Sequence, residues 1–245
     1  MAIAFLRIKG VIKMLTNDLL HNVEYEVVLG ELKKDLESIN HIPDKVGVND
    51  ALLVLNNNEN SLNLINQAID NGCRTIIADS YFNIENHSVC LIKVENIRKV
   101  YAQIAKNIYH GVDNMRIVGV VGTNGKSTTA YLVWQILLKS GIKAGFIGTG
   151  KYCIGEAEFA NNMTTPDPIE LHRIFYQMNN DNVKIVVMEV SAHAIALEKV
   201  YGINFDIAVF TNFSQDHLDY FKELDKYKKV KKTFFFDKKN RGVRY

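Results

Sequence analysis

The sequence has no long apolar segment. None of its stretches reaches the roughly 18 apolar residues that a membrane-spanning helix needs. The segment from residue 1 to 15 mixes apolar side chains with Arg7, Lys9 and Lys13, and it lacks the apolar core and the small-residue cleavage site of a secretory signal. We therefore expect a cytoplasmic protein that does not insert into a membrane.

The chain also has no large excess of charge of either sign. The chain has 29 lysine and arginine residues against 27 aspartate and glutamate residues, which gives a formal net charge of +2. Such a balance produces no global field that would attract nucleic acid or an anionic membrane surface. We expect no nucleic-acid partner, and binding partners have to be inferred from local motifs.

Cysteine is scarce. Cys73, Cys90 and Cys153 are far apart and odd in number, and they have neither the CxxC pattern nor the Cys/His spacing of a zinc site. Buried, reduced thiols in a cytosolic protein are the expected state of all three.

Apolar residues are plentiful, at 47% of the 245 residues, so the chain is able to bury a sizeable core. This length fits one large domain or two modest ones. The segment Gly111–Asn114 contains turn residues without a core pattern, and we place a boundary there between a domain of residues 1–112 and a domain of residues 113–245. The first is predicted to be a small α/β unit, with strands at 51–55, 73–78 and 89–94 and helices at 61–69 and 97–109.

The second domain alternates strands with helices. Strands are predicted at 117–121, 143–147, 184–190 and 205–211, and helices at 128–138 and 168–178. Near-continuous Val/Ile runs separated by helices indicate a P-loop-type, doubly wound, mostly parallel sheet covered on both faces. Because ligands of such sheets bind beyond the carboxyl ends of the strands, we expect the polar residues that follow the strands to converge.

A phosphate loop is predicted at residues 122–129, which read GTNGKSTT and join the first of these strands to its helix. Glycines and a helix N-terminus together direct N–H groups toward an anion. Lys126 would reach the β- and γ-phosphates of ATP, and Ser127 would hold Mg²⁺. The strict pattern requires glycine where this chain has Val120. The expected ATP contacts are Gly122, Thr123, Asn124, Gly125, Lys126, Ser127 and Thr128.

Three further motifs follow the loop in order. They are TTPD at 164–167, MEVSAH at 188–193 and TNFSQDHLDY at 211–220. Together with the variant loop, they resemble the motifs of the Mur ligase family, in particular its MurE branch, the UDP-N-acetylmuramoyl-tripeptide synthetases. The second domain then resembles the central domain of that family, and the first resembles its UDP-binding domain.

The resemblance implies an ATP-dependent amide ligase of peptidoglycan precursor synthesis, with ATP and Mg²⁺ as cofactors. Its small-molecule partners would be UDP-MurNAc-L-Ala-D-Glu and a diamino acid, either meso-diaminopimelate or L-lysine. The reaction proceeds through an acyl phosphate that the amine attacks. Bringing two anions together is its physical difficulty, and metal ions and fixed cations reduce their repulsion.

Residue roles also follow from the resemblance. Ser127, Glu189 and His217 would bind Mg²⁺, and Lys126, Lys231 and His217 would be catalytic. Lys231 corresponds to a lysine that is carbamylated in many of these ligases, although a solvated helix face is the alternative for it and for the neighbouring lysines. Asn212 would contact the nucleotide, and a capping or turn role is the alternative for it. The UDP-muramoyl-peptide would contact Thr164, Thr165, Ser191 and Lys199.

Some positions depart from the family pattern. Lys199 and Gln215 stand where arginine is usual, and the first domain lacks the DSR triplet and DG loop expected for uridine binding. No third, amino-acid-binding domain follows Phe236, so we expect a truncated ligase, a fragment or half of a split enzyme, which would associate with a missing C-terminal domain. Weak or no activity is expected from this chain alone.

Two other functions stay open. One is a catalytically silent module that binds a nucleotide or UDP-sugar, and the changes at Lys199, Gln215 and the first domain favour it. The other is a generic P-loop phosphotransferase or NTPase, against which the TTPD and Ser-x-His motifs argue.

Overall fold

The computed structural model describes residues 7–8, 11–12, 14–215, 218–236 and 243–244. By its internal contacts the chain divides into two compact units, Met1–Ile108 and Tyr109–Tyr245. Both are mixed α/β units. Within the described ranges, no helix combines the length and the apolar character that crossing a membrane requires.

The elements of the first unit are β1 (Arg7–Ile8), β2 (Val11–Ile12), β3 (Met14–Leu15), α1 (Thr16–Leu19), β4 (Tyr25–Leu29), β5 (Asp35–Leu36), β6 (Ser38–Asn40), β7 (Asp50–Val54), α2 (Ser61–Asp70), β8 (Thr75–Ala78), β9 (Cys90–Val94) and α3 (Ile97–Ile108). The unit is built on a five-stranded sheet with the order β4-β9-β8-β7-β6, in which only β4 runs antiparallel to its neighbour. A short 3-10 turn, Pro43–Lys45, precedes β7. Ile65 and Ala68 of α2 pack on Leu52 and Ile76 of the sheet, because apolar residues recur on one face of this helix.

The elements of the second unit are β10 (Arg116–Val121), α4 (Lys126–Lys139), β11 (Ala144–Gly148), β12 (Gly150–Ile154), β13 (Ala157–Asn161), α5 (Pro168–Asn180), β14 (Ile185–Glu189), α6 (Ala192–Ala196), β15 (Ile207–Phe210), α7 (Leu218–Phe221), α8 (Leu224–Phe236) and β16 (Val243–Arg244). The unit is built on a seven-stranded sheet with the order β13-β12-β11-β14-β10-β15-β16. Strands β11, β14, β10, β15 and β16 are parallel, and the antiparallel hairpin β12–β13 extends one edge.

Both faces of this second sheet are covered, as the Val/Ile runs predict. Alternate residues of β14 point to opposite faces, so that Val186 packs beneath Phe175 of α5 while Val187 packs beneath Trp134 of α4. A third cluster joins the aromatic rings of Phe221 and Tyr227 to α6. The mostly parallel, doubly wound architecture expected from the sequence is therefore confirmed.

Candidate active site

Four parallel strands of the second unit end at one edge of the sheet. Their register pairs Val120 with Glu189, Val121 with Phe210 and Ile147 with Met188. The segments that follow these strands therefore meet, as expected from the carboxyl ends of a parallel sheet.

The phosphate loop leaves β10 at Gly122 and enters α4 at Lys126, two residues earlier than the helix start predicted from the sequence. Gly125 has a φ of +80°, a left-handed conformation that glycine adopts without steric cost. The Lys126 ammonium folds back over the loop, where Nζ donates hydrogen bonds to the carbonyls of Gly122 at 3.0 Å and Thr123 at 2.8 Å.

Glu189 lies against the beginning of α4 and is only 1% exposed. Ser127 Oγ donates to its Oε2 at 2.8 Å, and the backbone N–H of Thr149 donates to its Oε1 at 2.9 Å. A carboxylate beside a hydroxyl is the kind of oxygen set that Mg²⁺ prefers. Within the described ranges, no group of three His, Cys, Asp or Glu residues is arranged to hold a metal ion. The third predicted ligand, His217, lies outside the described residues.

Thr123 connects the phosphate loop to α8. Its side chain is 7% exposed, and its Oγ1 accepts hydrogen bonds from Lys231 Nζ at 2.9 Å and from the backbone N–H of Ser214 at 3.0 Å. The Lys231 ammonium also lies 4.1 Å from the centre of the Tyr227 ring, within cation–π range.

Lys231 differs from the other lysines of α8. It is 2% exposed, whereas the remaining four lie on the solvent face of the helix: Lys226, Lys228, Lys229 and Lys232. The interpretation as a solvated helix face therefore holds for those four and is wrong for Lys231.

Asn212 contacts the phosphate loop itself. Its Oδ1 accepts from the backbone N–H of Asn124 at 2.9 Å, and its Nδ2 donates to the Asn124 carbonyl at 3.0 Å. The backbone carbonyl of Asn212 accepts from the N–H of Thr123 at 3.0 Å. In this conformation the N–H groups of Thr123 and Asn124 are engaged within the protein.

The predicted substrate-binding residues line a cavity of about 360 Å³ next to the phosphate loop. Thr165 Oγ1 donates to the Glu189 carbonyl at 3.1 Å, and Ser191 Oγ accepts from the N–H of Ala194 as the N-cap of α6. Thr164 pairs its hydroxyl with that of Thr149 at 2.8 Å. The complete lining is Gly122, Lys126, Asn162, Met163, Thr164, Thr165, Ser191, Ala192, His193, Lys199 and Tyr227.

Lys199 brings a cation to this cavity, and Asp167 holds it there. The Lys199 ammonium lies 2.8 Å from Asp167 Oδ1, with the lysine 13% and the aspartate 32% exposed. Nζ also contacts the Met163 sulfur at 3.3 Å. The last residue of the TTPD turn therefore holds the Lys199 ammonium at the cavity.

Sequence reasoning missed three residues of the site. Thr149 links Glu189 to Thr164, Tyr227 lies beneath Lys231, and His193 lines the cavity with its ring 4.4 Å from that of Tyr220. Thr149 directly follows β11, so the rule that polar residues collect after parallel strands identifies it. His193 belongs to the MEVSAH motif but had no role assigned to it. Nothing in the local pattern indicates Tyr227.

The chain is similar to known proteins. A family profile described as Mur ligase middle domain matches residues 120–244. The chain is 35% identical over 226 residues to the UDP-N-acetylmuramoyl-L-alanyl-D-glutamate--2,6-diaminopimelate ligase of Clostridium tetani, covering 91% of this chain and 47% of the relative. The enzyme of the same name from Clostridium perfringens is 34% identical over 224 residues, with 91% and 46% covered.

Solved structures show the same fold. A structure of a UDP-N-acetylmuramoyl-L-alanyl-D-glutamate--2,6-diaminopimelate ligase aligns with a TM-score of 0.73 at 21% identity, covering 91% of this chain and 45% of that one. MurF from Acinetobacter baumannii aligns with a TM-score of 0.55 at 14% identity, with 90% and 46% covered. The chain thus spans about half the length of the curated relatives it matches.

Proposed function

The chain belongs to the Mur ligase family, and from this premise we propose that it carries the core of an ATP-dependent ligase that adds a diamino acid to UDP-MurNAc-L-Ala-D-Glu. The observation that carries the proposal is the meeting of Ser127, Glu189 and Lys231 around one phosphate loop, beside a cavity lined by hydroxyls and a lysine. Relatives named 2,6-diaminopimelate ligases favour meso-diaminopimelate over L-lysine as the added amino acid.

ATP would bind with its phosphates at the beginning of α4, where the first N–H groups of a helix lack partners within the helix. Lys126 would transfer its hydrogen bonds from the carbonyls of Gly122 and Thr123 to phosphate oxygens, because a charged acceptor forms the stronger bond. Ser127 and Glu189, with His217, would hold Mg²⁺, which supplies charge neutralisation between the phosphates and the incoming carboxylate.

The peptide carboxylate would occupy the cavity between the TTPD turn and the loop. Hydroxyls of Thr164, Thr165 and Ser191 are suited to carboxylate and sugar oxygens, and Lys199 supplies the attracting charge. A carboxylate oxygen would attack the γ-phosphorus while ADP departs. The amine would then attack the acyl carbon, phosphate would depart, and the amine would lose a proton to solvent.

Lys231 would act beside the transferred phosphate through its bond to Thr123. By its position in the family motif, we also propose that it is the site of carbamylation. A carbamate would turn this nitrogen donor into an oxygen ligand for a metal ion. Carbon-13 NMR of the chain in labelled bicarbonate buffer at neutral to alkaline pH, compared with Lys231→Arg, tests the modification, and absence of a carbamate carbon signal from the wild type would contradict it.

The first unit offers a separate site for the uridine diphosphate portion of the substrate. A cavity of about 380 Å³ at the carboxyl end of β7 is lined by His41, Leu52, Leu53, Val54, Leu55, Asn56, Asn58, Asn60, Leu64 and Arg98. Arg98 Nη2 donates to Asn56 Oδ1 at 2.5 Å. A guanidinium suits a diphosphate and side-chain amides suit the uracil edge, which supports a UDP-binding domain without the DSR and DG motifs.

The proposed location is the cytoplasm, where the nucleotide substrates are soluble, and a C-terminal domain corresponding to the rest of the longer relatives is the proposed partner. A silent binding module is the second candidate function. Lysine in place of arginine at position 199 favours it, because a lysine loses the bidentate grip on a carboxylate.

Calorimetry of the full chain with MgATP and with UDP-MurNAc-dipeptide tests the proposal. We expect both to bind, ATP binding to be lost in Lys126→Ala, and ATP binding to persist in Lys139→Ala, which removes an exposed lysine at the other end of α4. Phosphate release that depends on diaminopimelate would establish the ligase, and absence of binding to either ligand would refute the proposal.

A further inference from the structure

The segment that follows β15 makes several hydrogen bonds to the phosphate loop. We propose that Asn212 is a positioning residue that fixes the conformation of the phosphate loop through the backbone of Asn124. It would then act on the phosphates of ATP indirectly and would not contact the base. This inference rests on the proposed nucleotide site.

The side chain of Asn212 pairs with both polar groups of one loop residue. Asn124 donates from N–H to Oδ1 at 2.9 Å, and Nδ2 donates to the Asn124 carbonyl at 3.0 Å. These two groups belong to the peptide planes on either side of Asn124. One rigid amide therefore sets the orientation of two consecutive peptide planes, which a single hydrogen bond would not achieve.

Neighbouring contacts reinforce this pairing. Thr211 Oγ1 donates to the Asn124 carbonyl at 2.6 Å, and Thr123 donates from its N–H to the Asn212 carbonyl at 3.0 Å. At Gly122 a side chain would not fit, because a Cβ there would lie 1.9 Å from Thr211 Oγ1. The two segments are thus in direct backbone contact, and glycine at 122 permits it.

The N–H groups along the loop therefore have two different roles. N–H groups of Thr123 and Asn124 point to Asn212, so those that face a phosphate belong to the first turn of α4 beyond Gly125. Glycine at 122 and 125 makes the loop intrinsically flexible, and an unpinned loop would have to be ordered when the anion binds. Asn212 would remove that cost in advance.

A ligand series separates this role from direct contact with the base. Inorganic tripolyphosphate, ATP and adenosine are titrated, each with Mg²⁺, into the wild-type chain, Asn212→Ala and Thr211→Val by calorimetry. Since about two hydrogen bonds are lost in Asn212→Ala, we expect affinity for tripolyphosphate and ATP to fall about tenfold, with adenosine binding unchanged. Thr211→Val, which keeps the side-chain volume and removes one bond to the same carbonyl, should produce a smaller loss of the same kind.

Controls make each result decisive. Asn63→Ala removes an exposed asparagine of α2 and should bind all three ligands as the wild type does. If Asn212→Ala fails to fold by near-UV circular dichroism, Thr211→Val carries the test. Unchanged tripolyphosphate affinity in the folded variants would overturn the inference, as would loss of adenosine binding. A wild-type chain that binds neither ATP nor tripolyphosphate would instead overturn the proposed function.

Discussion

Glu189 is held in a space that a glycine keeps open. A Cβ on Gly148 would lie 2.3 Å from Glu189 Oε1 and 2.5 Å from the Phe146 ring, both far inside normal contact. The adjacent Thr149 N–H then donates to that same carboxylate oxygen. The orientation of the proposed metal-binding carboxylate thus depends on two consecutive residues of the neighbouring strand end.

Gly148→Ala should therefore displace Glu189 and weaken Mg²⁺-dependent ATP binding at least tenfold. Overpacking of this kind costs about 1–3 kcal/mol of folding free energy. Urea unfolding and calorimetry measure the two effects. Gly47→Ala is the matched control, because its Cβ would meet Asp50 Oδ2 at an ordinary 3.6 Å. Wild-type ATP affinity in Gly148→Ala would show that Glu189 does not need this position.

Thr123→Val tests the connection between the loop and α8. The replacement keeps the shape of the side chain but removes the hydroxyl that accepts from the buried Lys231 ammonium. Hydrogen bonds to charged groups contribute about 1.5–3 kcal/mol, so the free energy of unfolding should fall by about that amount. Thr123→Ser retains the hydroxyl and should recover most of the loss in the same urea titration. Equal stability of both variants with the wild type would contradict the role of this bond.

At the scale of elements, α8 shows how one helix serves both core and site. Tyr227, Lys231 and Phe234 recur at helical spacing on its buried face, and the ring centres of Phe234 and Phe205 are 4.7 Å apart. The helix is therefore fixed by apolar packing at one end while its middle presents Lys231 to the phosphate loop.

Phe234→Ala should destabilise the chain by about 3–5 kcal/mol, since it leaves a cavity in the core beside Phe205. Lys232→Ala, two residues away on the solvent face, should change stability by less than about 0.5 kcal/mol. Thermal unfolding followed by circular dichroism compares them. A small effect of Phe234→Ala would mean that α8 is held by its polar contacts.

The predictability of the fold differs from one element to another. Apolar runs and helical spacing located β10, α5 and β14 to within two residues, because buried parallel strands and amphipathic helices leave strong periodic signals. The hairpin β12–β13 was missed, since four of the five residues of β13 are exposed and neither strand has a long apolar run. The two-residue turn at Gly155 was a usable signal for it.

Only part of the site was predictable from the sequence. Motif order and strand ends located the phosphate loop and Glu189, because these depend on local sequence and sheet topology. The burial of Lys231 was not predictable, since lysine is normally exposed and the acceptor that permits its burial, Thr123, is 108 positions away. Pairing at that distance is a property of tertiary structure, which local patterns do not encode.

At the scale of the whole molecule, the buried thiols lower folding stability at alkaline pH. All three cysteines are buried and free, as expected. Burial raises the pKa of Cys153 from its ordinary value of 9.0 to about 11, and burial also raises the pKa of Cys73 and Cys90. Between pH 9 and 11 the unfolded chain has lost a Cys153 proton that the folded chain retains, so stability must fall as pH rises through this range.

Cys153→Ala should make this fall shallower. One such group contributes up to about 1.4 kcal/mol per pH unit to the slope of unfolding free energy against pH. Urea unfolding at intervals from pH 8 to 11 measures the slope for both proteins. Loss of the core thiol also changes the variant's free energy of unfolding by a constant amount at every pH, and a constant offset does not change the slope. Identical slopes would show that the Cys153 thiol does not titrate with folding.

The strand order of the second unit also has a consequence for synthesis on the ribosome. Strand β10, which leads into the phosphate loop, is flanked by β14 and β15, which are made much later. Its loop is then bonded to residues 211–214 and to Lys231. A nascent chain that has completed α4 has therefore made GTNGKS but not its supports. The hydrogen bonds that hold the loop can therefore form only after α8 has been made.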